Sequence, residues 1–113
     1  MIKRGEVYWV NWGTGQTSEQ QGTHPALIIQ NDIGNLHSPN TTVIAWLTTA
    51  PNKPYPFIVN VTAAESGLPQ DSAVDLAFIA TISQKKLEAK ITTLSDKKML
   101  EINRALRVSF GMT

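Results

Sequence analysis

Along most of the chain apolar and polar residues alternate with a period of two, the pattern of strands that bury one face. The segments GEVYWVNW (5–12), PALIIQN (25–31), TTVIAWLT (41–48), PFIVNVT (56–62), AVDLAFIA (73–80) and EAKITT (88–93) carry it, and they are rich in valine, isoleucine and threonine. Turn-forming stretches lie between them, among them NDIGNLHSPN, APNKPYP and SGLPQD. The tail changes period. In SDKKMLEINRALRVSF, Met99, Ile102, Leu106 and Phe110 recur at helical spacing, Ser95 stands where a first turn is capped, and Asp96 suits the positive end of the helix dipole. The pattern predicts six short strands in a small barrel or sandwich, closed by one C-terminal helix of about four turns.

Composition narrows this picture. A chain of 113 residues has room for one domain, taken as 1–113, and 42% apolar against 17% charged residues is the balance of a compact fold, not of a disordered segment. The absence of cysteine removes disulfides, thiolate zinc sites and thiol nucleophiles together. The N-terminus has no apolar leader region, and no apolar run approaches membrane-spanning length, so a cytoplasmic protein without a membrane segment is expected. Two histidines among scattered carboxylates offer no metal-ligand spacing, so neither a metal nor another cofactor is expected. Charge is unevenly placed. From Gly5 to Gln84 six carboxylates face the single cation Lys53, a net of −5, whereas Lys85 to Arg107 holds seven basic residues and a net of +4. The late cluster is either a solvated helix surface or a footprint for an acidic or nucleic-acid partner.

Gly13 to Thr23, GTGQTSEQQGT, joins the first two strands through eleven residues with no apolar side chain, far longer than the two to five residues of an ordinary hairpin. Its amides, hydroxyls and one carboxylate fit a working loop better than a spacer.

The residues KRGEVYWV, SEQQGTHPALIIQNDIGN, SPNTTVIAWLT, YPFIV and TISQKKLEAKITTLSD, taken together, resemble the MazF/PemK/Kid family of toxin-antitoxin ribonucleases over nearly the whole chain. The resemblance implies a mainly β fold with a C-terminal helix, the compact SH3-like β-barrel also found in the CcdB toxins, assembled as a homodimer. It further implies metal-independent, sequence-specific cleavage of single-stranded RNA, and neutralisation by a cognate antitoxin whose acidic tail would meet the basic residues from Lys85 to Arg107. Two positions depart from the family pattern. Gly22-Thr23-His24-Pro25 puts His24 where the family carries its phosphate-site arginine, and Phe78-Ile79-Ala80 replaces a Gln-x-Arg or Gln-x-Lys triplet. The family threonine at the end of the third strand is matched by Thr48, followed by Thr49.

Cleavage without a metal needs a base for the 2′-hydroxyl, an acid for the leaving 5′-oxygen, and donors for the charge that builds on phosphorus. The candidate catalytic residues are His24, Thr48 and Glu19. Imidazole is a poorer phosphate clamp than guanidinium but a better proton shuttle at neutral pH. The hydroxyl of Thr48 can donate to a phosphate oxygen, and Glu19 is the only ionisable group of the long loop. Ser18, Gln20, Gln21 and Thr49 offer neutral donors and acceptors for base edges, and Phe78 offers a stacking surface. Trp9 and Trp46 fit the packing of strands, Trp12 borders the loop, and His37 takes no role. The competing function is a weak or inactive MazF-like protein that binds RNA or an antitoxin, since both cationic positions are altered; a topoisomerase-directed toxin on the related barrel is a third, against which the SEQQGTHP loop argues.

Overall fold

The computed structural model describes residues 1–11, 22–49 and 54–112. Six strands, β1 (Glu6–Asn11), β2 (Thr23–Ile28), β3 (Thr41–Thr48), β4 (Ile58–Val61), β5 (Ser72–Ser83) and β6 (Leu87–Thr93), form one antiparallel sheet in the order β4-β5-β3-β2-β1-β6, curled into a half-barrel. Helices α1 (Asp32–His37) and α2 (Ala63–Ser66) interrupt the strand sequence, and α3 (Asp96–Ser109) closes it. Fold class, strand count and the closing helix are those that the periodicity predicts.

Strict alternation divides the sheet into two faces. On one, Val7, Leu27, Ala45, Leu47, Val74 and Leu76 pack against Ile102 and Ala105 of α3. On the other, Val10, Ala26, Ile28, Ile44, Trp46 and Ile82 form a smaller cluster with Tyr8 and Leu87 around it. The Ser95 side chain accepts from Lys98 N at 3.1 Å and so caps α3 as expected. Arg4 ties the N-terminus to the same layer, donating from Nε to the Ile29 carbonyl and from Nη2 to Asn103 Oδ1, both at 2.8 Å.

Three features depart from the sequence reading. The expected turns contain two short helices held by polar contacts that periodicity does not carry. Asn35 of α1 is buried, accepts from Thr42 Oγ1 at 2.6 Å and donates to the Gln30 carbonyl at 3.1 Å, so α1 is fastened to β3 through side chains. The apolar face of α3 stops at Leu106; Phe110 lies beyond the last turn and is 56% exposed, because the chain leaves the helix before that position returns to the sheet. Finally, β5 runs four residues past the expected strand's start and end combined and is not regular: Ala45 pairs with Ile79 and Leu47 with Val74, so Trp46 alone faces Asp75 to Phe78. Asp75 Oδ1 accepts from Ala77 N at 2.9 Å, and Ser109 Oγ of α3 donates to the Leu76 carbonyl at 2.7 Å, which fixes this bulge from both sides.

Candidate functional site

Of the site residues that the sequence brings forward, His24 and Phe78 meet Trp46 on the sheet face that α3 leaves open. His24 lies in β2 opposite Val10 of β1, and alternation turns its ring to the same face as Ala26 and Ile28. The ring stands edge-on to Trp46 of β3, with centroids 6.5 Å apart at 81°. Trp46 in turn meets Phe78 of β5 at 6.2 Å. These three residues therefore make an aromatic row across β2, β3 and β5. Its members differ in exposure: the central Trp46 is 4% exposed, whereas Phe78, carried outward on the β5 bulge, is 51% exposed.

Thr48 ends β3, is exposed, and shares the face of Trp46 by alternation. The β2–β3 ladder ends at Ala26↔Trp46, and His24 and Thr48 each lie two residues beyond that pair on the same face, towards the same end of the two strands. The His24 Nε2 atom is buried and has no hydrogen-bond partner among the described residues. An unmatched buried polar atom of this kind costs about 1–3 kcal/mol, and a catalytic role is one of the explanations such an exception calls for.

Thr49 points elsewhere. With Trp9, Pro25, Leu68, Pro69 and Gln70 it lines a mostly apolar cleft of about 330 Å³ on the α3 side of the same strand ends. Leu68, Pro69 and Gln70 carried no chemical signal in the sequence, where SGLPQD reads only as a turn. Trp46 packs as expected, yet its ring contacts also make it the centre of the row. Phe57 stacks on Tyr55 at 5.4 Å next to β4 and takes no part in it. Ser18, Glu19, Gln20, Gln21 and Trp12 lie outside the described residues.

Charge near the sheet is largely matched. Lys90 Nζ lies 3.0 Å from Glu6, and Lys98 Nζ lies 3.4 Å from Glu65 and 3.2 Å from Glu101, so two members of the late basic cluster already have carboxylate partners. Burial pushes the Glu6 carboxyl up, but hydrogen bonds from the Lys3 N–H, Lys90 and Tyr8 outweigh it and hold the group below its ordinary range. The Tyr8 hydroxyl is pushed up to about 12 by burial and by its bond to Glu6.

A family model described as "PemK-like, MazF-like toxin of type II toxin-antitoxin system" matches residues 3–110. Endoribonuclease MazF of Staphylococcus epidermidis and that of Staphylococcus saprophyticus are each 42% identical to this chain over 113 residues, which span 99% of this chain and 93% of each relative. Among solved structures, an endoribonuclease in complex with its cognate antitoxin from a mycobacterial species superposes with a TM-score of 0.82 at 26% identity, covering 100% of this chain and 98% of that one. No helix among the described residues is long and apolar enough to cross a membrane.

Proposed function

The chain belongs to the family of PemK-like, MazF-like toxins of type II toxin-antitoxin systems, and from that premise we propose that it cleaves single-stranded RNA at chosen sequences without a metal ion. The observation that carries the proposal is the unpaired Nε2 of His24, held against Trp46 on the open face, with Thr48 on the same face two residues beyond Trp46.

In this reading the 2′-oxygen attacks the adjacent phosphorus, the P–O5′ bond breaks, and the products are a 2′,3′-cyclic phosphate and a free 5′-hydroxyl. Glu19 takes the 2′-hydroxyl proton. His24 gives a proton from Nε2 to the departing 5′-oxygen, for which imidazole is suited because it exchanges its proton in the neutral range. Thr48 donates its hydroxyl to a non-bridging oxygen as charge builds there. The exposed ring of Phe78 stacks on a neighbouring base, an interaction of about 1–3 kcal/mol in single-strand binders. Ser18, Gln20, Gln21 and Thr49 read base edges.

The reading extends to the whole of residues 1–113 acting as one domain in a cytoplasmic homodimer, restrained by a cognate antitoxin. The direct test is incubation with a long, structure-poor RNA in EDTA, followed by mapping of the ends. Cuts at a recurring short sequence, with 5′-hydroxyl ends, are expected. Intact RNA with wild type, His24→Ala and His24→Arg alike would favour the competing reading, a MazF-like binding protein.

A further inference from the structure

The cleft between Trp9 and Gln70 lies beside the proposed cleavage site but on the other side of the strand ends. Pro25 follows His24 within β2, where neighbouring residues face opposite ways, and Thr49 follows Thr48 just past the end of β3. A rim only one strand thick thus separates His24 and Thr48 from the cleft that Pro25 and Thr49 help to line. A nucleic-acid strand that crosses this rim with its phosphate at His24 brings the adjoining base to the cleft.

We propose that this cleft is a specificity pocket for one unstacked nucleobase next to the scissile phosphate; the proposal rests on the ribonuclease reading for its substrate. Its chemistry selects a base over other parts of RNA. None of the six lining residues is charged, which disfavours a phosphate, and the indole of Trp9 with the rings of Pro25 and Pro69 offers flat apolar surface. The Thr49 hydroxyl and the Gln70 side-chain amide make no hydrogen bond among the described residues, and together they present the neutral donors and acceptors that a base edge requires. A volume of about 330 Å³ falls at the lower end of the range of roughly 300–1,000 Å³ found for small-ligand sites.

The wall bearing Gln70 is built in advance. Thr62 and Glu65 form a capping box at the start of α2, and Asp71 Oδ1 accepts from Ala63 N at 2.7 Å, closing the segment on itself. Gly67 ends the helix at φ +76, where a Cβ would also come within 3.0 Å of Ile91 Cγ2. Buried Ser66 accepts from Leu68 N at 3.1 Å, and buried Ser72 donates to the Gln70 carbonyl at 3.2 Å. The side chains of Pro69 and Gln70 contribute nothing to this framework and are exposed, so Gln70 can be changed without removing any of these bonds.

The test uses a ten-nucleotide RNA of mixed sequence whose 2′-oxygens are methylated and so cannot attack. Titrated into the whole protein, it should shift the indole N–H resonance of Trp9, assigned by loss in Trp9→Phe, and Gln70→Ala should weaken binding about fivefold, the effect of one lost hydrogen bond. On cleavable RNA, Gln70→Ala should relax base preference at a single position flanking the cut. Cleavage with no Trp9 shift and an unchanged preference in Gln70→Ala overturns the pocket and leaves the ribonuclease reading standing. A Trp9 shift that Gln70→Ala weakens, with no cleavage by wild type, upholds the pocket and overturns the ribonuclease reading. Absence of both shift and cleavage overturns the two together.

Discussion

The two faces of the sheet are built to different ends. One is completed by the chain itself: α3 lays Ile102 and Ala105 over Val7, Leu27, Leu47 and Leu76, and the polar groups at its ends are capped. The other is not covered by α3, and among the described residues the short helix α1 meets only its far edge, through Asn35 and Thr42. Its apolar cluster runs from Val10 and Ile28 to Trp46 and then gives way to an exposed Phe78 and a histidine nitrogen with no partner. A protein can leave such a face unfinished only if the opposite one supplies the stability. The comparison teaches that the closed face carries most of the packing, whereas the proposed chemistry at His24 sits on the face that α3 leaves open.

Substitutions on the two faces should therefore separate activity from stability. The largest effect is expected from His24→Ala, which should lower kcat on RNA by about 10²–10⁴-fold, the usual worth of a positioned acid or base. Its melting temperature should not fall, because no hydrogen bond to Nε2 is lost and an unmatched buried nitrogen is removed. Ile102→Ala should do the reverse. Removing a fully buried side chain beneath α3 should cost about 2–5 kcal/mol in denaturant unfolding, with kcat per folded molecule unchanged. If both variants lose activity and stability in parallel, the division between the faces is wrong.

Phe78→Ala comes next. Loss of a half-exposed stacking surface should raise KM for RNA by a factor of about 5–100, equivalent to roughly 1–3 kcal/mol, with little change in unfolding. A large drop in stability instead would make Phe78 a packing residue of the β5 bulge.

How much of this was legible in the sequence depends on where the determining contacts lie. The strands follow from alternation along single segments, and α3 from its own spacing and its Ser95 cap. His24 and Thr48 stand out through the residues around them, and the register of β2 with β3 then brings them into line. Contacts between distant segments were invisible. In NDIGNLHS only the Asn31 cap and Asp32 announce a helix, and the contacts that fix Asn35, from Gln30, Thr42 and Gln84 Nε2, are not carried by any periodicity. SAVDLAFIATIS reads as one regular strand, yet the Asp75 turn and the Ser109 bond break it opposite Trp46 and push Phe78 outward. Likewise Gln70 looks like an ordinary turn residue until the folded chain brings it beside Trp9 and Thr49.

The smallest predicted effect lies at the β1–β6 end of the open face. Glu6, Tyr8 and Lys90 close its β1–β6 end as a bonded group. The folded protein holds the Glu6 carboxyl below its ordinary value, so this carboxylate stabilises the fold above that value and the contribution disappears as pH falls through the lowered one. Glu6→Gln should thus destabilise the protein by about 1 kcal/mol at pH 7 and converge with wild type in acid, as read from unfolding midpoints across pH 3–7. Its cleavage of RNA should match wild type.

The most direct test of the central claim, that His24 performs proton transfer on the open face, is the pH dependence of kcat/KM for RNA cleavage in EDTA by wild type and His24→Arg. A proton-donating imidazole predicts that wild-type activity falls on the alkaline side and that this fall is lost in His24→Arg, whose guanidinium keeps its charge throughout. A wild-type profile without an alkaline fall, together with higher activity of His24→Arg at every pH, would contradict the claim and reduce His24 to a weakened phosphate clamp.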